Sequence, residues 1–489
     1  MGHSMIVRRS AAVLFVALIF GATAAQATVA ISTQPTVNMS CSGGVCIPTA
    51  SDAVLNVNDL ANMLASGDVT VQSGSLARDI EVDAPLRWTS TSRLTLDSYH
   101  TIAFNRPLIV EGTGALTITT NGGGFGGDFK FAGRGRAEFQ SVNSNLMING
   151  QAYKLAENIR QVSRALKSGA RFVALSRDFD SGSQEFKRPP ILSLKGTLEG
   201  LGNTIKNLKV HDSTTSENAA LIGDITATGL VRDLNLTAVD ILGNAEYDQL
   251  VAALAGKSDG GTALNVHVTG TIAASSSDSL AGGLMGESNG TIRRCSADVS
   301  VSTTGQSEFA GGLLGINYEQ DSTALPGIVS ESFSTGSVSL TTAGSSAGGL
   351  VGDAAGGSIS NSYSLATVSG DGAGDTDVGG FAAYGDDGLG FTLVISSSYS
   401  TGLLSGTDNS RLGGFIVYVS GPNEISNSYW DIDTTGTSQG CDGCSGGVTG
   451  LTDAQLKSGL PNGFDKKVWK QSATINNGYP YLIDNPPPK

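Results

Sequence analysis

The feature that most restricts the fold of this chain is a short phrase of glycines around an apolar residue, repeated between about residues 219 and 436. Its clearest copy is Gly-Gly-Leu-Met-Gly at 282–286. The apolar residues of the seven copies are separated by 33, 30, 29, 37, 31 and 34 positions. A period of this length predicts stacked units, because one short unit cannot bury its own apolar face. We expect one structural column from Leu221, Leu254, Leu284, Leu313, Leu350, Phe381 and Phe415.

Short strand-like segments precede the repeat, between residues 69 and 131. Most alternate apolar with polar residues, which is typical of half-buried strands. Short, evenly spaced strands favour the rungs of a parallel β-helix, or else a sandwich. We therefore predict an all-β fold, a right-handed parallel β-helix (solenoid) with a short helical clasp and a C-terminal cap. The glycine-rich stretch 122–127 lacks the Lys-Ser/Thr ending and the following helix of a phosphate-binding loop, and is interpreted as a plain turn.

A second phrase of the repeat carries an aromatic residue, at Phe333, Tyr363, Tyr399 and Tyr429. If successive rungs stack about 4.8 Å apart, these rings form a second column. The spacing leaves open whether that column faces inward. Cys295 stands one residue before the corresponding position of its own repeat, where other repeats carry serine. We therefore expect it to be a stacked small residue rather than a nucleophile.

The phrases at 196–208, 329–338, 359–364, 395–402 and 425–429, together with the Gly-Gly-Leu units, resemble secreted bacterial β-helix proteins that carry the Glug motif. Those proteins are grouped with filamentous haemagglutinin-like adhesins. The resemblance is firm over the repeats and looser over the N-terminal third of the chain. It implies a scaffold of adhesin type rather than a particular reaction. The Asn-Pro-Asn-Gly motif of the family's two-partner secretion members is not found.

The N-terminal residues are typical of an export signal, with Arg8 and Arg9 before an apolar run and Ala25-Gln26-Ala27 as the cleavage site. That run is shorter than the roughly 20 residues that span a bilayer. We expect a mature chain without a transmembrane anchor that is secreted or on the cell surface, with the periplasm as the alternative. The predicted divisions are a signal peptide at 1–27, N-terminal β-helix-like rungs at 28–145, a helix-containing boundary segment at 146–190, a Glug-repeat β-helix at 191–440 and a C-terminal cap at 441–489.

Acidic residues outnumber basic residues. The whole chain has 30 basic and 44 acidic residues, a net charge of −14, and removal of the two arginines of the signal makes the charge of the mature chain −16. Such a negative charge argues against nucleic acid and anionic membranes as partners. No cofactor is expected.

The cysteines form two close pairs, Cys41 with Cys46 and Cys441 with Cys444, and leave Cys295 over. The second pair also has the spacing of a redox or metal site. Neither a strand-to-helix turn nor a second ligand pair accompanies it. In an exported chain we expect two small disulfides that staple loops, although the sequence alone does not fix the pairing.

Clustered carboxylates are the candidate catalytic groups. Enzymes that cleave polysaccharides use such groups as acid and base or as calcium ligands, whereas Asp-Gly clusters also form ordinary turns. Calcium binding near Asp431 and Asp433, or near Asp375 and Asp377, stays open. The candidate carboxylates are Asp371, Asp375, Asp377, Asp386 and Asp387.

The predicted function is a secreted or cell-surface adhesin-like binding protein without catalysis. Its partner would be a glycan, or a host or matrix protein. The alternative is a carbohydrate-active β-helix enzyme, a polysaccharide lyase or hydrolase, that uses Asp375 and Asp377. A purely structural envelope protein is a third reading.

Overall fold

The computed structural model describes residues 27–182, 184–213, 218–245, 248–306, 308–318, 327–370, 375–385 and 392–488. The predicted signal peptide lies outside the described residues, apart from its last position. The described chain is almost entirely β-structure in stacked parallel strands, so the all-β prediction is confirmed and the architecture is solenoid-like. Among the described residues, no helix is long and apolar enough to cross a membrane.

The repeat region consists of three stacks of parallel strands, and one turn of the chain through all three is a rung. The seven-stranded sheet contains Asn218–Ala219, Leu250–Ala252, Leu280–Gly282, Phe309–Gly311, Ser346–Gly348, Asp377–Gly379 and Arg411–Gly413. The eight-stranded sheet contains Ile191–Leu194, Ile222–Thr226, Ala255–Asp259, Met285–Ser288, Leu314–Tyr318, Val351–Ala355, Ala382–Gly385 and Ile416–Val419.

The third stack is the long sheet, whose strands are frequently broken into shorter pieces. Its strands are Gln151–Ala156, Phe172–Leu175, Phe179–Asp180, Glu185–Phe186, Thr197–Glu199, Thr204–Lys206, Lys209–Asp212, Leu230–Gly243, Thr262–Ala274, Thr291–Arg293, Ser296–Thr303, Ile328–Ser330, Phe333–Leu340, Ser358–Ser360, Tyr363–Ser364, Thr367–Gly370, Leu393–Ser396, Tyr399–Ser400, Leu404–Gly406, Asn423–Ser426, Ser428–Asp431 and Val448–Leu451.

The N-terminal part also has three groups of stacked strands. The first contains Asp52–Asn56, Thr28–Ser32, Asp79–Val82, Ile102–Phe104 and Phe129–Phe131. The second contains Leu86–Trp88, Pro107–Val110 and Arg136–Phe139. The third contains Met39–Ser42, Val45–Pro48, Val69–Gln72, Arg93–Asp97, Ala115–Thr119 and Asn145–Ile148. An antiparallel pairing of Asn145–Ile148 with Gln151–Ala156 connects this part to the long sheet.

The described residues include four α-helices beside the strands: α1 at Val57–Ser66, α2 at Gly74–Ala77, α3 at Ile159–Lys167 and α4 at Asp453–Leu456. Helix α3 lies in the segment predicted as a helical clasp. Asn158 caps its N-terminus, and Ile159, Val162 and Ala165 are buried in the core of the repeat region. Helix α4 has the capping box of Thr452 and Gln455 that its sequence indicates.

The apolar residues of the repeated phrase lie at the centre of the largest core. All seven, from Leu221 to Phe415, are fully buried there. The amide of Leu284 donates to the carbonyl of Leu313 (2.8 Å), and the amide of Leu313 donates to that of Leu350 (2.9 Å), so one column continues from rung to rung. Burying one such side chain stabilises the fold by about 1.5–3 kcal/mol relative to its exposure.

The second glycine of the phrase is required by the close approach of neighbouring rungs. A Cβ atom on Gly283, Gly312, Gly349 or Gly380 would lie 2.1 Å from the carbonyl oxygen of the same glycine in the next rung. No side chain fits at that distance. Glycine therefore permits the tight corner between the seven-stranded and eight-stranded sheets.

The aromatic column, Phe333, Tyr363, Tyr399 and Tyr429, lies outside the main core. Its rings stack almost in parallel, with centroids 4.8 Å apart between Phe333 and Tyr363 and 5.0 Å between Tyr363 and Tyr399. In each rung one residue in the left-handed region bends the chain between core strand and column, as at Asn361 with φ 47°. The column therefore faces away from the core that contains Leu350 and Phe381.

Residues 452–488, the C-terminal strap, cover the aromatic column from outside. Trp469 packs beside Tyr363 and Tyr399, and its indole donates to Asn361 Oδ1 at 3.0 Å. The Tyr399 hydroxyl donates to the carbonyl of Pro480 at 2.6 Å. The strap runs back along the repeats, and its last contacts include Asn485, whose Nδ2 donates to the carbonyl of Cys295 at 3.1 Å.

Residues 441–451, the first part of the predicted C-terminal cap, pack against the last rung of the main core. Cys441, Cys444 and Val448 contact that core beside Trp430. The remainder of the predicted cap is the strap, which lies along the side of the stack. The C-terminal region therefore contributes to two separate surfaces of the repeat region.

A buried cluster of charges joins the N-terminal part to the repeat region. Arg232 lies 3.9 Å above the ring of Phe129 and pairs with Asp128, Asp233 and Glu199. Burial raises the pKa of Glu199 well above its ordinary value, and the charge of Asp233 adds to this effect. Arg232, Asp233 and Glu199 are largely buried and paired with one another, and the exposed Asp128 pairs with Arg232 from outside, so the cluster is a structural junction.

Candidate functional site

The two sheets that meet at the repeated glycines form a concave corner on the outside of the molecule. Phe309 and Arg411 face outward from the seven-stranded sheet, and Tyr384 faces outward from the eight-stranded sheet. The ring centroids of Phe309 and Tyr384 are 6.1 Å apart, and Arg411 Nη2 donates to the Tyr384 hydroxyl at 2.6 Å. Outward side chains of two sheets diverge at a convex corner. Their contact here shows that the corner is concave.

The corner surface is defined by Phe309, Asp377, Tyr384, Arg411 and Tyr418. The three rings are half-buried, and Arg411 is exposed. Arg411 lies 5.8 Å from the ring centroid of Tyr384 and 5.9 Å from that of Tyr418. Rings and a cation are thereby held together on a surface that solvent reaches.

Register explains why these residues share one surface. Phe309, Ser346, Asp377 and Arg411 occupy the same position in successive strands of the seven-stranded sheet. In the eight-stranded sheet the matching positions are Asp224, Lys257, Glu287, Ile316, Asp353, Tyr384 and Tyr418.

Glycines of the phrase lie at the bottom of the corner, where a side chain would collide with residues of the neighbouring sheet. A Cβ atom on Gly286 would lie 3.0 Å from the Cβ of Leu250, and one on Gly256 would lie 1.9 Å from Asn218 Oδ1. Side chains from the seven-stranded sheet therefore extend across the backbone of the neighbouring sheet. The glycines shape the outer surface as well as the rung spacing.

Asp377 and Arg411 form a two-point ion pair inside the corner. Arg411 Nε donates to Asp377 Oδ1 at 2.6 Å, and Nη2 donates to Oδ2 at 2.8 Å. The hydrogen bond from Arg411 to Asp377 raises the pKa of the guanidinium above its usual range. Burial, followed by the hydrogen bond with Asp377, raises the pKa of Tyr384. The pair presents donors and acceptors with little net charge.

The opposite end of the same corner is aliphatic and acidic. Leu250 and Leu280 occupy the positions equivalent to Phe309. Lys257 Nζ lies 3.0 Å from Asp259 Oδ2, and burial, followed by the charge of Asp259, raises the pKa of Asp224. The corner therefore changes along its length from carboxylates and leucines to rings and a neutralised ion pair.

The candidate catalytic carboxylates do not gather into one site among the described residues. Asp377 belongs to the corner surface, where both of its oxygens accept hydrogen bonds from Arg411. Asp375 is exposed, and its carbonyl oxygen accepts from the amide of Gly344 at 2.7 Å. Asp371, Asp386 and Asp387 lie outside the described residues. Of the two candidate carboxylates that the structure describes, one is therefore engaged in an ion pair and the other is exposed.

The acidic turn proposed for calcium uses its oxygens for internal contacts. Asp431 Oδ1 accepts from the amides of Asp433 and Thr434, and Oδ2 accepts from the Tyr479 hydroxyl at 3.0 Å. Asp433 Oδ2 accepts from the amide of Asp453 at 3.0 Å. In the part of the chain that the structure describes, no group of three or more His, Cys, Asp or Glu side chains could hold a metal ion.

The cysteines pair locally. One disulfide joins Cys41 to Cys46 within an N-terminal hairpin, and the other joins Cys441 to Cys444 at the end of the repeat core. Cys295 is buried as a free thiol, and burial raises its pKa to about 12. A nucleophilic cysteine needs a lowered pKa, so this environment opposes reactivity.

Cys295 occupies one step of a serine ladder. The hydroxyl of Ser332 accepts from the amide of Cys295 at 3.1 Å, and the hydroxyl of Ser362 accepts from the amide of Ser332 at 3.3 Å. Each serine hydroxyl also donates to a carbonyl two residues earlier, as Ser362 does to Ser360 at 2.9 Å. The repeated serines therefore satisfy backbone groups at the bend beside the aromatic column.

Sequence reasoning missed the corner surface. Each member stands either two residues before the first glycine of its own Gly-Gly pair, as Arg411 precedes Gly413, or three residues after the column residue, as Tyr418 follows Phe415. A position-by-position comparison of the repeats reveals this rule. Residue type gives no signal there, because the same position holds leucine, phenylalanine, serine, aspartate or arginine.

Comparisons with known proteins identify no family. No protein-family model matches the chain. A segment of halomucin from Haloquadratum walsbyi is 26% identical over 310 residues, which is 57% of this chain and 3% of halomucin. The chain thus spans a small fraction of that protein's length, and the activity of the whole protein does not transfer from such a match.

Among solved structures, a Bacteroides ovatus chain described as a "putative immunoglobulin A1 protease" is similar to 68% of this chain and 93% of its own length. The sequence identity is 17%, and the TM-score is 0.42. A TM-score below 0.5 does not establish a common fold, and the similarity carries no argument about activity.

Proposed function

We propose that the chain is an exported adhesin-type binding protein without catalytic activity. The corner surface is its ligand site, and a neutral glycan chain is the ligand. In this proposal the scaffold is a right-handed parallel β-helix of the Glug-repeat, haemagglutinin-like type. The observation that carries the proposal is the row of half-exposed rings around the Arg411–Asp377 pair in a concave corner.

The chemistry of the corner suits a sugar chain. Sugar rings have apolar faces that pack on aromatic rings, and their hydroxyl groups both donate and accept hydrogen bonds. Tyr384 and Tyr418 provide the rings, while Arg411 provides donors and Asp377 provides acceptors. Because the ion pair is nearly neutral, the site does not select for a charged ligand. A host or matrix protein is the other partner class for the same surface.

One feature supports a binding protein over an enzyme, and a second supports export. Both oxygens of Asp377 are held by Arg411, whereas a general acid or base must reach the reacting group of the substrate with a free oxygen. The two disulfides fit a chain that leaves the reducing compartment. Export, lack of catalysis and adhesion are therefore proposed together.

The test is a glycan and matrix-protein array probed with the purified mature chain, followed by titration of the strongest ligand. We expect a neutral glycan to bind, and we expect Tyr384→Ala and Tyr418→Ala each to weaken binding about tenfold, because each removes one aromatic contact. Leu403→Ala is the matched control, since Leu403 is 57% exposed and lies outside the corner. Equal binding by all variants contradicts the proposal.

The enzyme alternative is tested on the same preparation. The mature chain is incubated with acidic and neutral polysaccharides, and reducing ends and unsaturated products are measured. We expect neither to accumulate. Release of product that Asp377→Ala or Asp375→Ala abolishes would establish a lyase or hydrolase and would end the adhesin proposal.

A further inference from the structure

A second exposed aromatic group lies in the N-terminal part, on the glycine-rich stretch 122–127. Phe125 is 65% exposed, the largest exposure among the large apolar side chains of the described residues. Its ring centroid lies 6.0 Å from that of Tyr99, and the guanidinium of Arg78 lies 5.8 Å from it. The loop platform is defined by Arg78, Tyr99 and Phe125.

The stretch is a structured loop that presents Phe125. The amides of Asn121 and Gly123 donate to the carbonyls of His100 (2.9 Å) and Tyr99 (2.7 Å). Asn121 Oδ1 accepts from the amides of Gly126 (2.8 Å) and Gly127 (3.2 Å). The backbone on both sides of Phe125 is therefore fixed.

Gly123 keeps the ring of Tyr99 beneath the loop. A Cβ atom on Gly123 would lie 2.4 Å from a carbon of that ring. The glycine thus allows the loop to lie directly on Tyr99, whose half-buried ring supports Phe125 from one side. The apolar ring of Phe125 points into solvent from this support and forgoes the stabilisation that its burial would contribute.

Arg78 supplies the charge of the loop platform. Its side chain is exposed, and none of the ion pairs of the described residues includes it. Arg87 and Arg411, in contrast, both pair with carboxylates. In a chain that is acidic overall, an unpaired guanidinium beside the ring of Phe125 leaves donors available for a carboxylate from outside.

We infer that the loop platform is a second binding site and that it takes an acidic saccharide, a sugar chain that contains hexuronate residues. The apolar face of one sugar ring packs on Phe125, and its carboxylate receives hydrogen bonds from Arg78. This ligand class follows from charge complementarity and from the ring stack. The inference does not depend on ligand binding at the corner surface, where the guanidinium is already neutralised.

The test uses tetragalacturonate and its fully methyl-esterified form, titrated into the full mature chain by calorimetry. The two probes have the same sugar rings and differ in charge. We expect the acid to bind and the ester to bind at least tenfold more weakly, since the ester loses the charge-assisted hydrogen bonds. Absence of binding by the acid, or equal binding of acid and ester, overturns the inference.

Variants assign the binding to the loop platform. We expect Phe125→Ala and Arg78→Gln each to weaken binding of the acid about tenfold. Arg87→Gln is the matched control, because Arg87 is an exposed arginine of the same region that is paired with Glu111. All three side chains are solvent-exposed, so unfolding temperatures should stay unchanged. Unchanged affinity in Arg78→Gln contradicts the inference.

A corner variant separates the two proposals. Tyr418→Ala should leave the affinity for tetragalacturonate unchanged, whatever its effect on neutral glycans. If Tyr418→Ala weakens binding of the acid as much as Phe125→Ala does, a single shared site replaces the second site. If neutral glycans fail to bind while the acid binds through Arg78, the corner proposal fails and the loop platform stands.

Discussion

The repeat region carries two rows of aromatic side chains, and only one of them is covered by the chain itself. The aromatic column stacks in parallel beneath the strap, with Phe333 and Tyr363 inclined by 5°. The rings of the corner surface meet at steep angles, 88° between Phe309 and Tyr384, and stay half-exposed. A row of rings on a repeat is buried only if another segment supplies the second apolar surface. The corner has no such segment among the described residues.

The largest expected effect comes from breaking the cover of the aromatic column. Trp469 is 1% exposed and packs beside Tyr363, Tyr399 and Phe464. Trp469→Ala leaves a cavity and a lost hydrogen bond to Asn361, so we expect the free energy of unfolding to fall by about 3–5 kcal/mol. Denaturant unfolding followed by circular dichroism measures this change.

Tyr418→Ala is the matched control from the open row. Its ring is half-exposed, so the free energy of unfolding should change by less than about 1 kcal/mol. Binding of a hydrophobic dye should rise in Trp469→Ala and not in Tyr418→Ala, because only the first change uncovers the column. Equal destabilisation by both variants would show that the two rows are not distinct in the way the contacts indicate.

The second prediction concerns pH. Glu308 is 1% exposed and precedes Phe309 of the corner surface; its Oε1 accepts from the amide of Gly305 at 3.2 Å. Burial raises the pKa of Glu308 from 4.5 to about 7. The folded state therefore favours the protonated acid. The stability that this contributes is fully present below about pH 4.5 and is lost as the pH rises to about 7.

Glu308→Gln removes that dependence. The difference in free energy of unfolding between variant and parent should be small at pH 4 and should favour the variant by on the order of 2–3 kcal/mol at pH 8. Gln249 occupies the equivalent place two rungs away, so glutamine is compatible with the position. Denaturant unfolding from pH 4 to pH 8 measures the difference.

The control is Tyr363→Phe in the covered row. Burial raises the pKa of the Tyr363 hydroxyl well above its ordinary value, so this group stays protonated throughout the range. The effect of Tyr363→Phe on stability should therefore not change between pH 4 and pH 8. A parallel pH dependence in both variants would mean that the titrating group lies elsewhere.

The sequence predicted the apolar column because its residue type is nearly constant. Leu221, Leu313 and Phe415 face the same core environment, each in its own rung. Because that environment recurs in every rung, a large apolar residue recurs at a regular interval in the sequence. The glycines recur in the sequence for a related reason, since the rung spacing excludes a side chain at Gly312 and at its equivalents. Column and turns together were sufficient to indicate an all-β solenoid.

The direction of the aromatic column was not predictable. It depends on a left-handed bend at Asn361 and on Trp469, which lies 108 positions away and contacts Asn361 only in the folded chain. The corner surface was missed because its partners belong to different rungs. Phe309 and Tyr384 meet across two sheets, and their positions hold unrelated residue types elsewhere in the repeat. Such surfaces depend on how the strands of different rungs align, and the sequence of a single repeat does not specify that alignment.

The smallest expected effect concerns the Arg411–Asp377 pair. Its carboxylate side chain is 11% exposed and its guanidinium side chain 56% exposed. Because solvent screens the exposed guanidinium, we expect a coupling free energy of about 0.5–1 kcal/mol. A double-mutant cycle with Arg411→Gln and Asp377→Asn measures it. Arg87 and Glu111 form the control pair, since their side chains are 63% and 35% exposed, and we expect a smaller coupling between them.

The outcome of this cycle decides what kind of ligand the open row accepts. A coupling larger than that of the control pair, reduced by added salt, means that Arg411 is neutralised before any ligand arrives. The corner then differs from the loop platform, where Arg78 is unpaired. A coupling no larger than that of the control pair means that Arg411 is free to receive an external anion. Both aromatic surfaces would then select acidic sugars, and the assignment of a neutral glycan to the corner would be wrong.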